Sequence, residues 1–164
     1  MRSYRLIVLL AAFAAWPALA APDDPYAPLK LYAGQWRVTP KGGAAARVDN
    51  HCARTGVFFA CEQIVDGKPA DLVVFIPKGH TAKGQAYRTQ ALDADGATAH
   101  PWSDLTIDGD NWVYSNEKAD EGQPLHRRTL NRFTGPDHIH FDVQSSTDGL
   151  TWTTQASGDE QTVR

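Results

Sequence analysis

The sequence predicts an all-β fold, an antiparallel up-and-down meander of about ten strands that closes into a barrel. Short runs rich in β-branched and aromatic residues recur about every 8–14 residues along most of the chain, a spacing typical of sandwiches and barrels. Asp-Gly pairs, which favour tight hairpin turns, separate several of these runs, at residues 66–67, 95–96, 108–109 and 148–149. Closure into a barrel would leave no exposed edge strand.

The chain divides into one short helix and ten predicted strands. A helical pattern is present only at residues 26–33, directly before Gly34-Gln35-Trp36. The predicted strands are at residues 34–39, 46–55, 58–65, 71–77, 84–92, 98–107, 111–117, 125–134, 138–145 and 150–157. No long repeat or low-complexity tract interrupts this series, so residues 21–164 are expected to form a single barrel domain.

Residues 1–20 have the organisation of a secretory signal peptide. Arg2 and Arg5 precede an apolar run at residues 6–16, and Ala18-Leu19-Ala20 matches the small-x-small pattern of a cleavage site. The apolar run is shorter than the roughly 20 residues that a membrane span needs. The sequence therefore predicts export, to the periplasm or out of the cell, as a mature chain of residues 21–164 with no membrane span.

The charge balance argues against one class of partner. The chain has 16 basic and 19 acidic residues, and removal of Arg2 and Arg5 with the signal peptide leaves 14 basic residues and a net charge of −5. A mildly acidic chain without a basic block is a poor nucleic-acid binder. We therefore expect no nucleic-acid partner. Separately, we expect a monomer.

Cys52 and Cys61 are the only cysteines. In one straight strand their Cα atoms would lie about 30 Å apart, whereas a disulfide needs about 4.4–6.8 Å. The chain must therefore reverse between them, and Gly56-Val57 suits a type II′ hairpin turn, which favours Gly at its first central position. This turn places Cys52 opposite Cys61 at a non-hydrogen-bonded pair, where side chains are closest. A disulfide is predicted, because the spacing does not suit a zinc site or a redox pair.

The same turn assigns the two faces of the hairpin. The face predicted to point into the core carries Val48, Cys52, Phe59, Cys61 and Val65. The other face carries Asp49, His51 and Glu62, with His51 opposite Glu62. An acid–His–acid group can orient a general base, but no Ser or Cys nucleophile is placed beside it and no Gly-x-Ser-x-Gly elbow occurs. A surface charge pair is the favoured interpretation.

His138 and His140 share one face of a predicted strand, a pattern that could bind a metal or haem. The opposite face is more apolar, since it carries Ile139, Phe141 and Val143. The histidines are therefore predicted to face solvent. An alternative is a positive patch for an acidic ligand group, formed with three residues of the preceding strand, His126, Arg128 and Arg132.

Aromatic residues give the remaining functional signal. Side chains on the inner face of a barrel could line an apolar cavity for a small ligand. The candidate ligand-binding residues are Trp36, Tyr87, Trp112 and Tyr114. The same side chains could instead fill the interior, because barrels of about eight strands are just wide enough to be packed solid.

Several segments resemble lipocalin-like (calycin-like) families of uncharacterised bacterial secreted proteins. They are the cysteine hairpin, "LYAGQWRV" at 31–38, "LTIDGDNWVYSNE" at 105–117 and "STDGLTWTTQASGDE" at 146–160. In these segments Gly-x-Trp, Gly-x-x-Trp and Ser-x-Asp-Gly-x-x-Trp occur in order. The resemblance covers most of residues 21–164 and implies a calycin-like barrel with a short helix before its first strand. It also implies that Trp36 plugs the barrel base under an arginine of a late strand, and it implies no particular activity.

Three functional expectations follow from these observations. The first is a non-enzymatic, periplasmic or secreted binding protein for a small apolar or amphipathic ligand, with no cofactor and no metal. The second is an envelope stability or protein-interaction module whose barrel is filled and takes no ligand. The third, suggested by a loose likeness to nitrobindin-type barrels, is haem binding.

Overall fold

In the computed structural model, which describes residues 24–120 and 123–163, ten antiparallel strands form one closed barrel. The predicted signal peptide, residues 1–20, lies outside the described residues. The strands are β1 Gly34–Pro40, β2 Ala46–Thr55, β3 Phe58–Val65, β4 Lys68–Thr81, β5 Gly84–Asp93, β6 Ser103–Asp108, β7 Asn111–Asp120, β8 Gln123–Gly135, β9 His138–Ser146 and β10 Thr153–Thr162. Each strand pairs with the next in sequence, and β1 also pairs with β10. The predicted all-β up-and-down barrel is confirmed.

Two strands start later than the sequence pattern predicts. The segment 94–102 forms a loop, in which Asp95 accepts hydrogen bonds from the backbone N–H groups of Ala97 and Thr98, so β6 begins at Ser103 rather than at 98. Asp148 likewise accepts bonds from the N–H groups of two following residues, and β10 begins at Thr153 and continues to Thr162. In both places the Asp side chain binds backbone groups that a strand would need for its ladder.

The helix predicted at residues 26–33 is not an α-helix. The chain forms a five-residue 3-10 helix, Pro28–Tyr32, that ends where Ala33 turns extended. Two causes shorten it, since Pro25 and Pro28 lack backbone donors and Gly34 enters β1 with φ +112°. No helix among the described residues is long and apolar enough to cross a membrane.

The β2–β3 hairpin has the predicted register. Gly56 has φ +61°, Thr55 pairs with Phe58, and Cys52 pairs with Cys61, to which it is joined by a disulfide. Phe59 and Cys61 are buried, whereas His51 and Glu62 are exposed on the outer face. The predicted disulfide is therefore confirmed, and these four residues lie on the predicted faces, whereas Asp49 on the outer face is half-buried.

The inside of the barrel is divided into a packed half and an open half. The packed half is an aromatic and aliphatic cluster that includes Leu29, Trp36, Phe59, Phe75, Tyr87, Leu105, Trp112, Phe133 and Ile139. One or two inward-facing positions further along the same strands, the side chains become polar, as at Thr89 on β5 and Asn131 on β8. The core therefore sits at one end of the barrel and leaves the other end for a cavity.

The segment before β1 closes the packed end. The ring of Tyr26 stacks on Phe59, with ring centroids 5.4 Å apart, and lies 6.5 Å from the ring of Tyr87. The Tyr26 hydroxyl donates a hydrogen bond to the carbonyl of Val57, and the Tyr87 hydroxyl donates one to the carbonyl of Pro25. These contacts fix the N-terminal segment to the barrel, so this end is a plug rather than an opening.

Candidate functional site

A cavity of about 520 Å³ occupies the open half of the barrel. Inward-facing side chains from β3 to β10 line it, together with Tyr32 of the 3-10 helix and residues of the loop before β6. The polar part of the lining is Gln63, Thr89, His100, Ser103, Tyr114, Asn116, Arg127, Thr129, Asn131 and Glu160. The cavity is therefore much more polar than the packed half beside it.

The apolar part of the lining includes Tyr32, Phe75 and Phe141. Tyr32 lies between the cavity and the packed half, with its ring centroid 6.5 Å from that of Trp36 and 6.1 Å from that of Trp112. The backbone carbonyl of Tyr32 accepts hydrogen bonds from the side chains of Trp36 and Asn50. A ligand in the cavity would meet Tyr32 rather than the tryptophans.

The four aromatic residues that the sequence nominates for ligand binding separate into two groups. Tyr114 lines the cavity, whereas Trp36, Tyr87 and Trp112 are almost fully buried in the packed half and are not part of the lining. Trp112 and Tyr114 face inward on the same strand, as predicted. They are two positions apart along β7, so Trp112 lies in the packed half and Tyr114 lies in the cavity wall. Strand periodicity gives the face of a residue and not its depth in the barrel.

Trp36 does lie at the packed base of the barrel, but no arginine stacks on it among the described residues. Its ring contact is with Tyr32, and its indole N–H donates to the carbonyl of Tyr32 at 3.1 Å. Among the described residues, the aromatic partner of Trp36 is therefore Tyr32 of the preceding 3-10 helix, and the arginine that the lipocalin-like resemblance implies is not found.

Glu160, on β10, is the most unusual group of the cavity. It is only 9 % exposed and lines the cavity, and among the described residues its carboxyl has neither a hydrogen bond nor an ion-pair partner. Burial raises the pKa of Glu160 to about 7. Burial also raises the pKa values of Tyr32 and Tyr114, with a further contribution from Glu160, so both phenols are neutral beside it.

Asn131, on β8, presents a second unpaired acceptor. It is 4 % exposed, it lines the cavity, and its Oδ1 has no hydrogen-bond donor among the described residues. Other polar groups of the lining are paired, since Asn116 donates to Ser103 Oγ at 3.2 Å and Gln63 donates to Asn50 Oδ1 at 2.9 Å. Asn131 Oδ1 is therefore an unpaired acceptor within the cavity wall, and among the described residues Asp49 Oδ1, outside the cavity, is also buried without a hydrogen-bond partner.

Sequence reasoning missed Glu160 because it lies beyond 157, where the last strand was predicted to end. In the structure β10 continues to Thr162, and alternation from the buried Gly158 brings Glu160 to the inner face. Asn131 fell within a predicted strand, and alternation with its buried neighbour Phe133 could have indicated its inward direction.

Arg127 and His100 contribute cationic or titratable side chains to the rim of the cavity. Arg127 is exposed and has no ion-pair partner among the described residues. His100 Nε2 lies 2.5 Å from Asp93 Oδ1 and 4.0 Å from Asp71 Oδ1. The Asp71–Asp93–His100 group has metal-ligand spacing, with its ligand atoms within 4.8 Å of one another, although all three side chains are substantially exposed. The loop before β6 brings His100 to the two aspartates, which sequence reasoning did not foresee.

The histidines of β9 face outward, as predicted. Ile139 between them is fully buried, whereas His140 Nδ1 lies 2.9 Å and His138 Nε2 lies 3.4 Å from the Asp159 carboxylate. Both histidines therefore lie on the opposite side of the barrel wall from the cavity. A haem bound through either of them would lie outside the barrel.

The positive patch that the sequence offered as an alternative, with His126, Arg128 and Arg132, has acidic neighbours that reduce its net positive charge. Arg132 lies 3.6 Å from Asp142, and His126 lies 3.6 Å from Glu117. Arg128 lies 3.9 Å above the ring of Trp152. The patch therefore has few unpaired cations with which to bind an acidic ligand.

Comparison with known proteins assigns no family. A scan against models of protein families finds no match, and a search of curated proteins finds no significant similarity. The closed ten-strand barrel is compatible with a lipocalin-like fold, but a fold by itself does not define an activity. The functional conclusion must therefore come from the geometry and chemistry of the cavity.

Proposed function

We propose that this protein is a non-enzymatic binding protein that takes a small amphipathic ligand into the open half of its barrel. The cavity carries this proposal, because its volume of about 520 Å³ falls within the range of roughly 300–1,000 Å³ that small-molecule sites occupy. Its lining combines aromatic rings with unpaired polar groups. A ligand with an apolar body and a polar end complements both parts, which favours an amphipathic ligand over a purely apolar one.

The proposed location is the periplasm or the extracellular space. The Cys52–Cys61 disulfide fits an oxidising compartment, and the signal-peptide pattern of residues 1–20 predicts export. The lipocalin-like resemblance supports the same interpretation. A filled barrel without a ligand, the second expectation from the sequence, is less favoured because of the cavity.

Fluorescence titration with N-phenyl-1-naphthylamine, a neutral and largely apolar probe with a single N–H donor, tests whether the cavity takes a small ligand. Ala91 lines the cavity on β5, and Ala53 is exposed on the outer face of β2, so Ala91→Trp and Ala53→Trp are matched variants. Ala91→Trp should weaken probe binding by about 10-fold or more, because the indole fills space that the probe needs. Ala53→Trp should leave the affinity within about twofold. Equal affinities for the two folded variants would place the probe outside the cavity and contradict the proposal.

A further inference from the structure

We propose that Glu160, together with Asn131, makes the cavity selective for ligands that carry a protonated amine. This inference depends on the proposed function, since it names the chemical class of ligand that the same cavity takes. It rests on two side chains that line one cavity: Glu160, which is 9 % exposed and whose carboxyl has no hydrogen bond or ion pair among the described residues, and Asn131, whose buried Oδ1 has no donor among them.

Unpaired buried polar groups are costly, and most buried polar groups in proteins have a hydrogen-bond partner. The protein has cations near the cavity, but Arg127 forms no ion pair with Glu160. The neutral phenol of Tyr114 also leaves the carboxyl without a hydrogen bond. No described residue supplies the missing donor, and we assign that role to a ligand inside the cavity.

The two groups together specify the chemistry of that donor. A carboxylate and an amide oxygen are both acceptors, and an ammonium group offers three donors and one positive charge. Asn131 lies opposite Phe141 on β9, and Glu160 lies opposite Ile139, two positions away on the same strand and the same face. The two acceptors therefore lie on the strands that flank β9 and line the same cavity. A ligand in the cavity can present its amine to this part of the wall, with its apolar body against the aromatic lining.

The charge distribution also orients the ligand. Arg127 lies at the rim and Glu160 lies in the buried wall. An ammonium group is repelled by the guanidinium and attracted by the carboxylate, and both effects are stronger away from bulk water. The amine end therefore enters first, and the other end of the ligand remains near the rim.

Three probes with the same ring system test this selectivity: 2-(1-naphthyl)ethylamine, 2-(1-naphthyl)ethanol and 1-naphthylacetate. Each is fluorescent, so its affinity can be measured directly. The wild-type protein should bind the amine about 10-fold more tightly than the alcohol, because charge-assisted hydrogen bonds are the stronger ones, and it should bind the carboxylate most weakly. Equal affinities for the amine and the alcohol would overturn the proposal. That result would indicate that the Glu160 carboxyl is hydrated or protonated and does not bind the ligand.

Glu160→Gln and Asp159→Asn form a matched pair, since these neighbours are acids on opposite faces of β10. Glu160→Gln should reduce the affinity for the amine about 10-fold and change that for the alcohol by less than about threefold. Asp159→Asn should change neither. Loss of affinity for both probes in Glu160→Gln would mean a structural role and would contradict the proposal.

The pH dependence gives an independent readout. The affinity for the amine should rise from about pH 6 to about pH 8, because Glu160 ionises in this range while the probe stays protonated. Among the described residues, the other titratable or charged groups that line this cavity are Tyr32, Tyr114, Arg127 and His100, and Asp71 and Asp93 lie beside His100. Histidine is the only residue type among them that usually changes charge between pH 5 and 8, so His100→Gln must retain the rise. A rise that disappears in His100→Gln but persists in Glu160→Gln would contradict the proposal.

Failure of this inference can be distinguished from failure of the proposed function. Cavity-dependent binding of N-phenyl-1-naphthylamine without a preference for the amine overturns the selectivity alone. If none of the naphthyl probes binds in a way that Ala91→Trp weakens, both proposals are wrong.

Discussion

The ring of Phe141 occupies the space that a side chain at Gly158 would need. The two residues are directly paired across β9 and β10, and a Cβ atom at 158 would lie 2.6 Å from Phe141 Cζ and 2.5 Å from the carbonyl oxygen of Thr39. Gly158 therefore allows an aromatic ring of the cavity wall to lie against the strand itself. The backbone of Gly158 is not in the left-handed region, so its role is one of space.

Gly158→Ala should lower the free energy of unfolding by about 1–3 kcal/mol, because the methyl group overpacks a site bounded by backbone. Urea denaturation of purified protein measures this change. Gly135→Ala is the control, since the nearest described atom to a Cβ there would be Asp137 Oδ1, at 3.4 Å. If both variants are as stable as the wild type, Phe141 does not lie over Gly158 in solution.

Glu160→Gln should change the pH dependence of stability. Burial raises the pKa of Glu160 from 4.5 to about 7, so the folded state binds more protons than the unfolded state between these values, and stability falls as the pH rises through them. The wild type should lose about 1–3 kcal/mol of unfolding free energy between about pH 5 and pH 8 through this group. Glu160→Gln should lack this loss and should be the more stable protein at about pH 8. Parallel stability curves for the two proteins would show that the carboxyl is not buried.

Removal of the disulfide should weaken the fold without abolishing it. The double variant Cys52→Ala with Cys61→Ala should lose about 1–3 kcal/mol, because the cross-link restricts the unfolded chain and the closed loop is short. The rest of the barrel keeps its own core, so the unfolding transition should remain cooperative. Urea denaturation gives the change, and peptide mapping of unreduced protein should recover a fragment that joins residues 52 and 61. Two alkylatable thiols in freshly exported protein would contradict the hairpin register.

The sequence was most informative where structure depends on local chemistry. A glycine at 56 selects the turn, the turn fixes the register, and the register brings Cys52 opposite Cys61. Turn residues and two-residue periodicity act over a few positions, so they could be read without knowing the rest of the fold. The number of strands and most of their bounds were predictable for the same reason.

The depth of the cavity was not predictable, because it depends on contacts between distant parts of the chain. Tyr26 and Tyr32 come from the segment before β1 and fill the packed end, and β1 closes the barrel by pairing Trp36 with Thr162. These contacts decide that Trp112 is buried while Tyr114 faces the cavity. No local pattern in β7 carries that information.

Tyr87 and Tyr114 provide a final test of the division of the barrel interior into a packed half and an open half. Both side chains face inward, and each can be changed to Phe by removal of one hydroxyl. The Tyr87 hydroxyl donates to the carbonyl of Pro25 in the packed half, and its loss leaves a buried acceptor without its donor. Tyr87→Phe should therefore cost about 1 kcal/mol of stability and leave the affinity for N-phenyl-1-naphthylamine within about twofold.

Tyr114→Phe should show the opposite behaviour. Its hydroxyl has no hydrogen bond among the described residues, so the loss of stability should be less than about 0.5 kcal/mol. The ring lines the cavity beside Glu160, so the change in polarity should alter the affinity for 2-(1-naphthyl)ethylamine. Urea denaturation and fluorescence titration of the two variants give both quantities. If Tyr87→Phe weakened probe binding while Tyr114→Phe weakened only the fold, the assignment of the packed and open halves would be reversed.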